Sequence, residues 1–364
     1  MSTRRHFLKQ SSAILGGLSF CSCHLLSNVN AQNLPVKRPP IVIAGKKIKA
    51  IDIHAHCYFQ EAIDLMGPEG KNVLAPTRGQ TKNFINVSER VSNMQAQGID
   101  MQVLSINPYW YKKDRETTEA ICQINNLNMS KLCGENPDHF AGFASIAMQF
   151  PDLAVKQLEE AVKKYHLVGA AIGGSVNGDD FSNPKYHPVF AKAQELNVAL
   201  FIHPQSTPQL ASRFKGNGWL SNLIGNPLDT TIALQHLIFD GTLDKFPNIK
   251  IIAAHGGGYL PSYAPRSDHS CLVSPTMCDP NIVLKKKPTE YLNQLYFDSL
   301  VFTSEALRHL KAQVGASQIM IGSDHPIPWS EEPVNHIMET PDLSDDERIA
   351  ILSANAVRVL GLKI

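Results

Sequence analysis

Short runs of consecutive apolar residues recur along the chain and alternate with segments whose apolar positions repeat at helical spacing. "VALFIH" and "IKIIAAH" are nearly continuous in aliphatic and aromatic residues, as strands buried on both faces must be. Such runs predict strands over 48–55, 100–106, 140–147, 167–173, 197–203, 249–255, 294–301 and 318–323. Between them, "TTEAICQINNLNMSKL" places Ala120, Ile121, Ile124, Leu127 and Leu132 on one side of a helix. "PDLAVKQLEEAVKKY" does likewise with Leu153, Ala154, Leu158, Ala161 and Val162. A last helix opens on Ser344-Asp345-Asp346-Glu347, a capping box, and stops at Gly361. Eight strand–helix alternations predict an α/β chain folded as one (β/α)8 TIM barrel over residues 32–364. An open doubly wound sheet is the competing arrangement, but it would normally carry a glycine-rich turn after its first strand. Here that turn reads "HAHCYFQ". Residues 57–85 lack a clear period and are expected to form a loop or small hairpins over the barrel mouth.

Composition changes this picture little. Of 364 residues, 43% are hydrophobic and 18% charged, which is ordinary for a globular chain. With 34 Lys and Arg against 33 Asp and Glu, nothing in the charge calls for nucleic acid or an anionic membrane as partner. No apolar run reaches the length that spans a bilayer, so no integral membrane association is expected. The N-terminus stands apart. Arg4-Arg5, Phe7-Leu8-Lys9, the apolar "AILGGLSF" and the small-residue exit Val29-Asn30-Ala31 resemble a twin-arginine export signal over residues 1–31. That resemblance implies transit through the twin-arginine machinery and a periplasmic address. Cys21 follows "LSF", but Phe20 is too bulky for a lipidation site. Five cysteines remain after the signal, which is no disulfide framework. Cys271 and Cys278 share a loop-like stretch that an oxidising compartment could bridge, although the weight falls on free thiols.

Chemistry enters at the strand ends. The first predicted strand finishes "IDIHAH", and alternation along a strand would put Asp52, His54 and His56 on one face. The fifth ends in His203, the sixth in His255 and the eighth, "IMIGSDHP", in Asp324. Unpaired buried polar groups cost about 1–3 kcal/mol each, so an apolar strand rarely ends this way without a purpose. Barrel enzymes gather their chemistry at the C-terminal ends of their strands. His54, His56, His203 and Asp324 are therefore read as one metal site. No C-x-x-C motif offers a cysteine zinc site instead.

This distribution resembles the amidohydrolase superfamily. More narrowly it resembles the branch containing 2-amino-3-carboxymuconate-6-semialdehyde decarboxylase and related metal-dependent nonoxidative decarboxylases. "AHGGGYLPSYAPR", "GNGWLSNLIGNPLDTTIA", "FPNIKIIAAHGGG", "IGSDHPIP" and "SANAVRVLGL" carry the likeness across nearly the whole chain beyond the signal. The resemblance implies that His54, His56, His203 and Asp324 hold a single divalent ion, usually zinc, with manganese an alternative. It makes His255 a catalytic histidine and Arg266 an anchor for a substrate carboxylate, sometimes supplied by the second subunit of a homodimer. Arg78 is the candidate for a second anchoring arginine, and Trp219 and Phe297 for pocket walls. Strand four, "LVGAAIGGSVNG", has no lysine to bridge two ions, which favours one. His325 is expected to orient Asp324 or face the pocket. His187, His236, His269 and His309 are expected away from the chemistry.

A zinc ion so held lowers the pKa of bound water from about 15.7 towards ~7, and His255 can take up and return a proton. Decarboxylation of an unsaturated or aromatic carboxylate is the leading expectation, with His255 and Asp324 as the catalytic groups. A hydrolase, lactonase or amidase, could use the same water. A non-catalytic metal-binding protein would have no use for His255 or Arg266.

Overall fold

The computed structural model describes residues 38–73, 86–329 and 332–364. The expected export signal and Arg78 lie outside these residues. A hairpin of β1 (Ile41–Ile43) and β2 (Lys46–Ile48) leads into the barrel strands. These are β3 (Ile51–His56), β4 (Met101–Ser105), β5 (Phe140–Gly142), β6 (Ala144–Ser145) and β7 (Gly169–Ile172). They continue with β8 (Ala199–Ile202), β9 (Lys250–Ala253), β10 (Leu295–Asp298) and β11 (Ile319–Met320). All barrel pairings are parallel, in the order β3-β4-β5 and β6-β7-β8-β9-β10-β11.

Main-chain bonds join the two sheets at both seams. β5 and β6 are two pieces of one run on either side of Phe143, whose N–H donates to the Leu104 carbonyl at 2.8 Å. At the other seam, Ile53 N–H donates to Ile321 O at 2.9 Å and Asp324 N–H to His54 O at 2.8 Å. The first and eighth strand segments are thus neighbours, as a (β/α)8 barrel requires. Each predicted strand is present, several of them shorter than its apolar run.

The packing follows from the alternation of side chains. Ile51, Ile53, Met101, Val103, Phe143, Ala199, Phe201, Ile252 and Met320 form an inner cluster, with Ala356, Val359 and Leu360 of the last helix against it. A larger outer cluster lies between strands and helices and contains Leu104, Ile172, Leu200, Ile202, Ile251, Leu295 and Phe297. Helices begin where the sequence offers caps. Asp114 accepts from Thr117 N–H at 2.9 Å at the head of Arg115–Glu135, and Pro151 opens Pro151–Lys163. Ser344 and Glu347 exchange both bonds of the expected capping box. The run that follows passes through a widened turn at Ala350–Ala354 and stops at Gly361, whose φ of 65° is left-handed.

Three expectations need correction. Part of the stretch 57–85 is helical, Gln60–Met66 followed by a 3-10 turn at Gly67–Val73, because Ala62 and Met66 bury a face toward the helix Arg115–Glu135. Cys271 and Cys278 are disulfide-bonded, since the end of the helix Leu260–Val273 and the turn after it bring their Cα atoms to 5.8 Å. Asp52 does not share a face with the two histidines. β3 slips register against β4 between Asp52 and Ala55, which breaks the alternation. Among the described residues, no helix is long and apolar enough to cross a membrane.

Candidate metal centre and substrate cavity

The register slip in β3 places His54 and His56 together at the inner end of the barrel, each almost fully buried. Their Nε2 atoms lie 3.2 Å apart. Asp324 comes to them from the segment after β11, with Oδ1 3.2 Å from His54 Nε2 and 2.8 Å from His56 Nε2. His203, just past β8, puts its Nε2 4.0 Å from the same oxygen. One donor atom from each of these four residues falls within 4.8 Å of every other. Two ligands on opposite sides of a cation at about 2.0–2.2 Å lie up to about 4.4 Å apart, so small side-chain adjustments suffice for all four to share one ion.

The side chains have the chemistry of metal ligands. His203 is buried, yet neither of its ring nitrogens has a hydrogen-bond partner among the described residues. Burial, reinforced by His56 and His54, pushes its pKa well below the usual range, leaving a neutral ring with a free lone pair. Burial also works against charge on His54, but the Asp324 and Asp298 carboxylates outweigh it and hold that ring protonated up to about 10. A field that retains a proton so firmly favours a metal cation in its place. Burial opposes ionisation of Asp324, but the surrounding imidazoles, His54 foremost, hold its carboxyl well below the carboxylate range. Asp324 and His255 both sit at positive φ, 61° and 56°, strained geometry of the kind found at functional sites.

Two supporting groups were not singled out in the sequence. Asp298, at the end of β10, accepts from His54 Nδ1 at 2.6 Å and from the backbone N–H groups of His255, Gly256 and Leu300. It fixes the ring orientation that turns Nε2 toward the other three ligands, as carboxylates behind metal-bound histidines do. Ser105, at the end of β4, lies 3.0 Å from His56 Nδ1. Both obey the strand-end rule that found the ligands. The predicted seventh strand ran three residues too far, to Val301, and so hid Asp298.

His255 places Nε2 3.8 Å from Asp324 Oδ2, and its side chain is 15% exposed. It stands beside the four ligands with access to solvent, and its Nδ1 has no partner among the described residues. Three of the ligands, His56, His203 and Asp324, line a cavity of about 540 Å³. Its walls come from loops at the C-terminal ends of the strands and include Tyr109, Tyr111, Lys112, Gln205, Trp219 and Asp229. The Trp219 ring stacks on Trp329 at 5.8 Å. Phe297 is not at the cavity. It is fully buried in the layer between strands and helices, because Asp298 takes the inward position next to it. Arg266 is exposed on the helix Leu260–Val273 and does not line the cavity of its own chain. His325 turns into a separate small cavity beside Arg38 and Gln97, and its carbonyl accepts from His56 N–H at 2.6 Å. His236 pairs with Asp180 and Asp240, and His309 meets Ser262, apart from the centre.

Known proteins resemble the chain over most of its length. The chain is 31% identical over 318 residues to the 2-amino-3-carboxymuconate-6-semialdehyde decarboxylase of Dictyostelium discoideum, covering 86% of this chain and 84% of that one. The crystal structure of 5-carboxyvanillate decarboxylase from Sphingomonas paucimobilis superposes with a TM-score of 0.79 at 25% identity, covering 87% of this chain and 100% of the other. A dihydroxybenzoic acid decarboxylase from a Polaromonas species, solved with bound manganese and the inhibitor 2-nitroresorcinol, gives a TM-score of 0.74 at 24% identity over 86% of this chain and 97% of that one. The family profile described as amidohydrolase matches residues 51–362. The relatives named above are decarboxylases, and the chain belongs to the amidohydrolase family.

Proposed function

We propose that the protein is a metal-dependent nonoxidative decarboxylase of an aromatic or unsaturated carboxylate. The observation that carries this reading is the quartet of His54, His56, His203 and Asp324 with His255 beside it, opening on a cavity sized for one small ligand. His54, His56, His203 and Asp324 would hold a divalent ion, which supplies a Lewis acid for the carboxylate or an adjacent oxygen of the substrate. Zinc suits three imidazoles and a carboxylate, and manganese occupies a solved relative. His255, with Nε2 3.8 Å from Asp324 Oδ2, would deliver the proton that replaces departing CO2 and recover it from water. Trp219 offers a flat apolar face to an aromatic ring.

Arg266, too exposed to reach its own cavity, is read as serving the neighbouring cavity in a homodimer, where its fork could grip a carboxylate by two parallel bonds. Arg78 is proposed for the same task. Residues 1–31 are read as a twin-arginine signal and the periplasm as the destination; the Cys271–Cys278 bond is of a kind that persists in oxidising compartments.

The test is metal-loaded enzyme supplied with carboxylate-labelled hydroxybenzoates and unsaturated diacids. The expected result is labelled CO2 and a product lighter by that mass. A product that gains one water, with no CO2, would make the chain a hydrolase instead. Cell fractionation with and without the Arg4-Arg5 pair tests the address.

A further inference from the structure

The helix Asn226–Phe239 opens Asn-Pro-Leu-Asp, and its first turn delivers Asp229 to the wall of the cavity. Asp229 is only 5% exposed. Its Oδ2 accepts one backbone N–H, that of Gln205, at 3.1 Å. It forms no ion pair among the described residues, and the charged neighbour in its field is another acid, Asp180. A buried carboxylate ordinarily collects a cation or several donors, because its lost hydration must be replaced. Here the protein supplies a single donor.

The opposite side of the loop cluster is cut away to admit it. A Cβ on Gly174, in the loop after β7, would lie 2.2 Å from Oδ2 and 2.8 Å from Oδ1 of Asp229. Any other residue at 174 would push the carboxylate out of its place. A costly group has thus been given room at the edge of a ligand cavity, with acceptor capacity unused.

We infer that Asp229 is a specificity-determining residue that accepts a hydrogen bond from a hydroxyl or amino substituent of the substrate. This rests on the decarboxylase reading above only in taking the cavity as the substrate site. The assignment also sets direction. The carboxylate end of the substrate is repelled by Asp229 and drawn to the cation end, while the donor-bearing end is held at the helix Asn226–Phe239. Capping the donor with a methyl group leaves Asp229 buried and unpaired, so the ether should bind much more weakly.

The experiment uses the full chain loaded with manganese and titrated calorimetrically with benzoate, the three monohydroxybenzoates and their methyl ethers. For at least one ring position, the wild type should bind the hydroxyl compound at least about tenfold tighter than its ether. In Asp229→Ala that ratio should fall to within about twofold, while benzoate binds at least as well as before. Asp229→Asn, of the same shape and still an acceptor, should keep part of the preference and guards against a misfolded variant. The same ratio in the wild type and Asp229→Ala overturns the assignment, as does a wild type that prefers no hydroxyl at any position. CO2 release from the same compounds is read separately. Selective binding that vanishes in Asp229→Ala, with no CO2 from any compound, upholds Asp229 and sinks the decarboxylase reading alone.

Discussion

One strand, β3, serves two buried polar clusters that differ in how completely they are satisfied. On its outer side, Asp52 accepts from Gln102 Nε2 at 3.0 Å, from Ser323 N–H at 3.0 Å and from Ser323 Oγ at 2.5 Å. Arg90, on the helix Val87–Gln97, donates to Gln102 Oε1 at 2.9 Å and to the carbonyl of His56. On the inner side, His54, His56, His203, His255 and Asp324 crowd together while both nitrogens of His203 and one of His255 go without a bond among the described residues. A matched network fixes a strand and a helix relative to each other. A deficient one at the same depth is held ready for something the chain does not provide. Burial alone does not tell these cases apart; the accounting of donors and acceptors does.

Breaking the inner cluster should have the largest effect. Asp324→Asn keeps a residue that tolerates positive φ but removes the charge that the imidazoles share, so bound metal should disappear by elemental analysis and turnover should fall to background. His255→Gln should retain the metal and lose about 10²–10⁴-fold in kcat, separating proton transfer from ion binding. Asp298→Asn should weaken metal affinity by about 10–100-fold, measured by competition with a chelator, because His54 loses the partner that fixes its ring.

The outer cluster should respond in stability instead. Gln102→Leu cuts the link between Arg90 and Asp52 and should cost about 1–3 kcal/mol in denaturant unfolding, with metal content per folded molecule unchanged. If Gln102→Leu empties the metal site, the two clusters are coupled and not independent.

The most confined effect concerns pH. Burial pushes the Asp229 carboxyl up from 3.8 to about 7. Its folded pKa exceeds its unfolded one, so between these values the folded state binds more protons and stability falls as pH rises. Asp229→Asn should flatten the decline in stability between about pH 4 and 7, by at most a few kcal/mol. An unchanged slope would mean that Asp229 is better solvated than its 5% exposure implies.

The repeating strands and the ligand set were legible because each depends on a local signal: an apolar run, then a His or Asp where the run stops. What was not legible depends on geometry that no run encodes. The slip in β3 turned Asp52 to the opposite side from the imidazoles, although strict alternation puts them together. An end misplaced by three residues in the seventh strand passed over Asp298, and Phe297, a pocket wall by resemblance alone, packs between strands and helices instead. Asp229 gave no sign in its own helix, since its significance lies in Gly174 and Gln205, which arrive from other loops. The bond between Cys271 and Cys278 depended on how a helix terminates.

His54 and Asp324 meet at the seam where the two extremes of the barrel join. A cation there would work like a clasp, tying early-made chain to late-made chain. A polypeptide still emerging from the ribosome could not be metallated until nearly all of it had been synthesised. Acquisition of the ion would thus report that the ring is complete, and chelation would loosen the molecule first where its two ends are fastened.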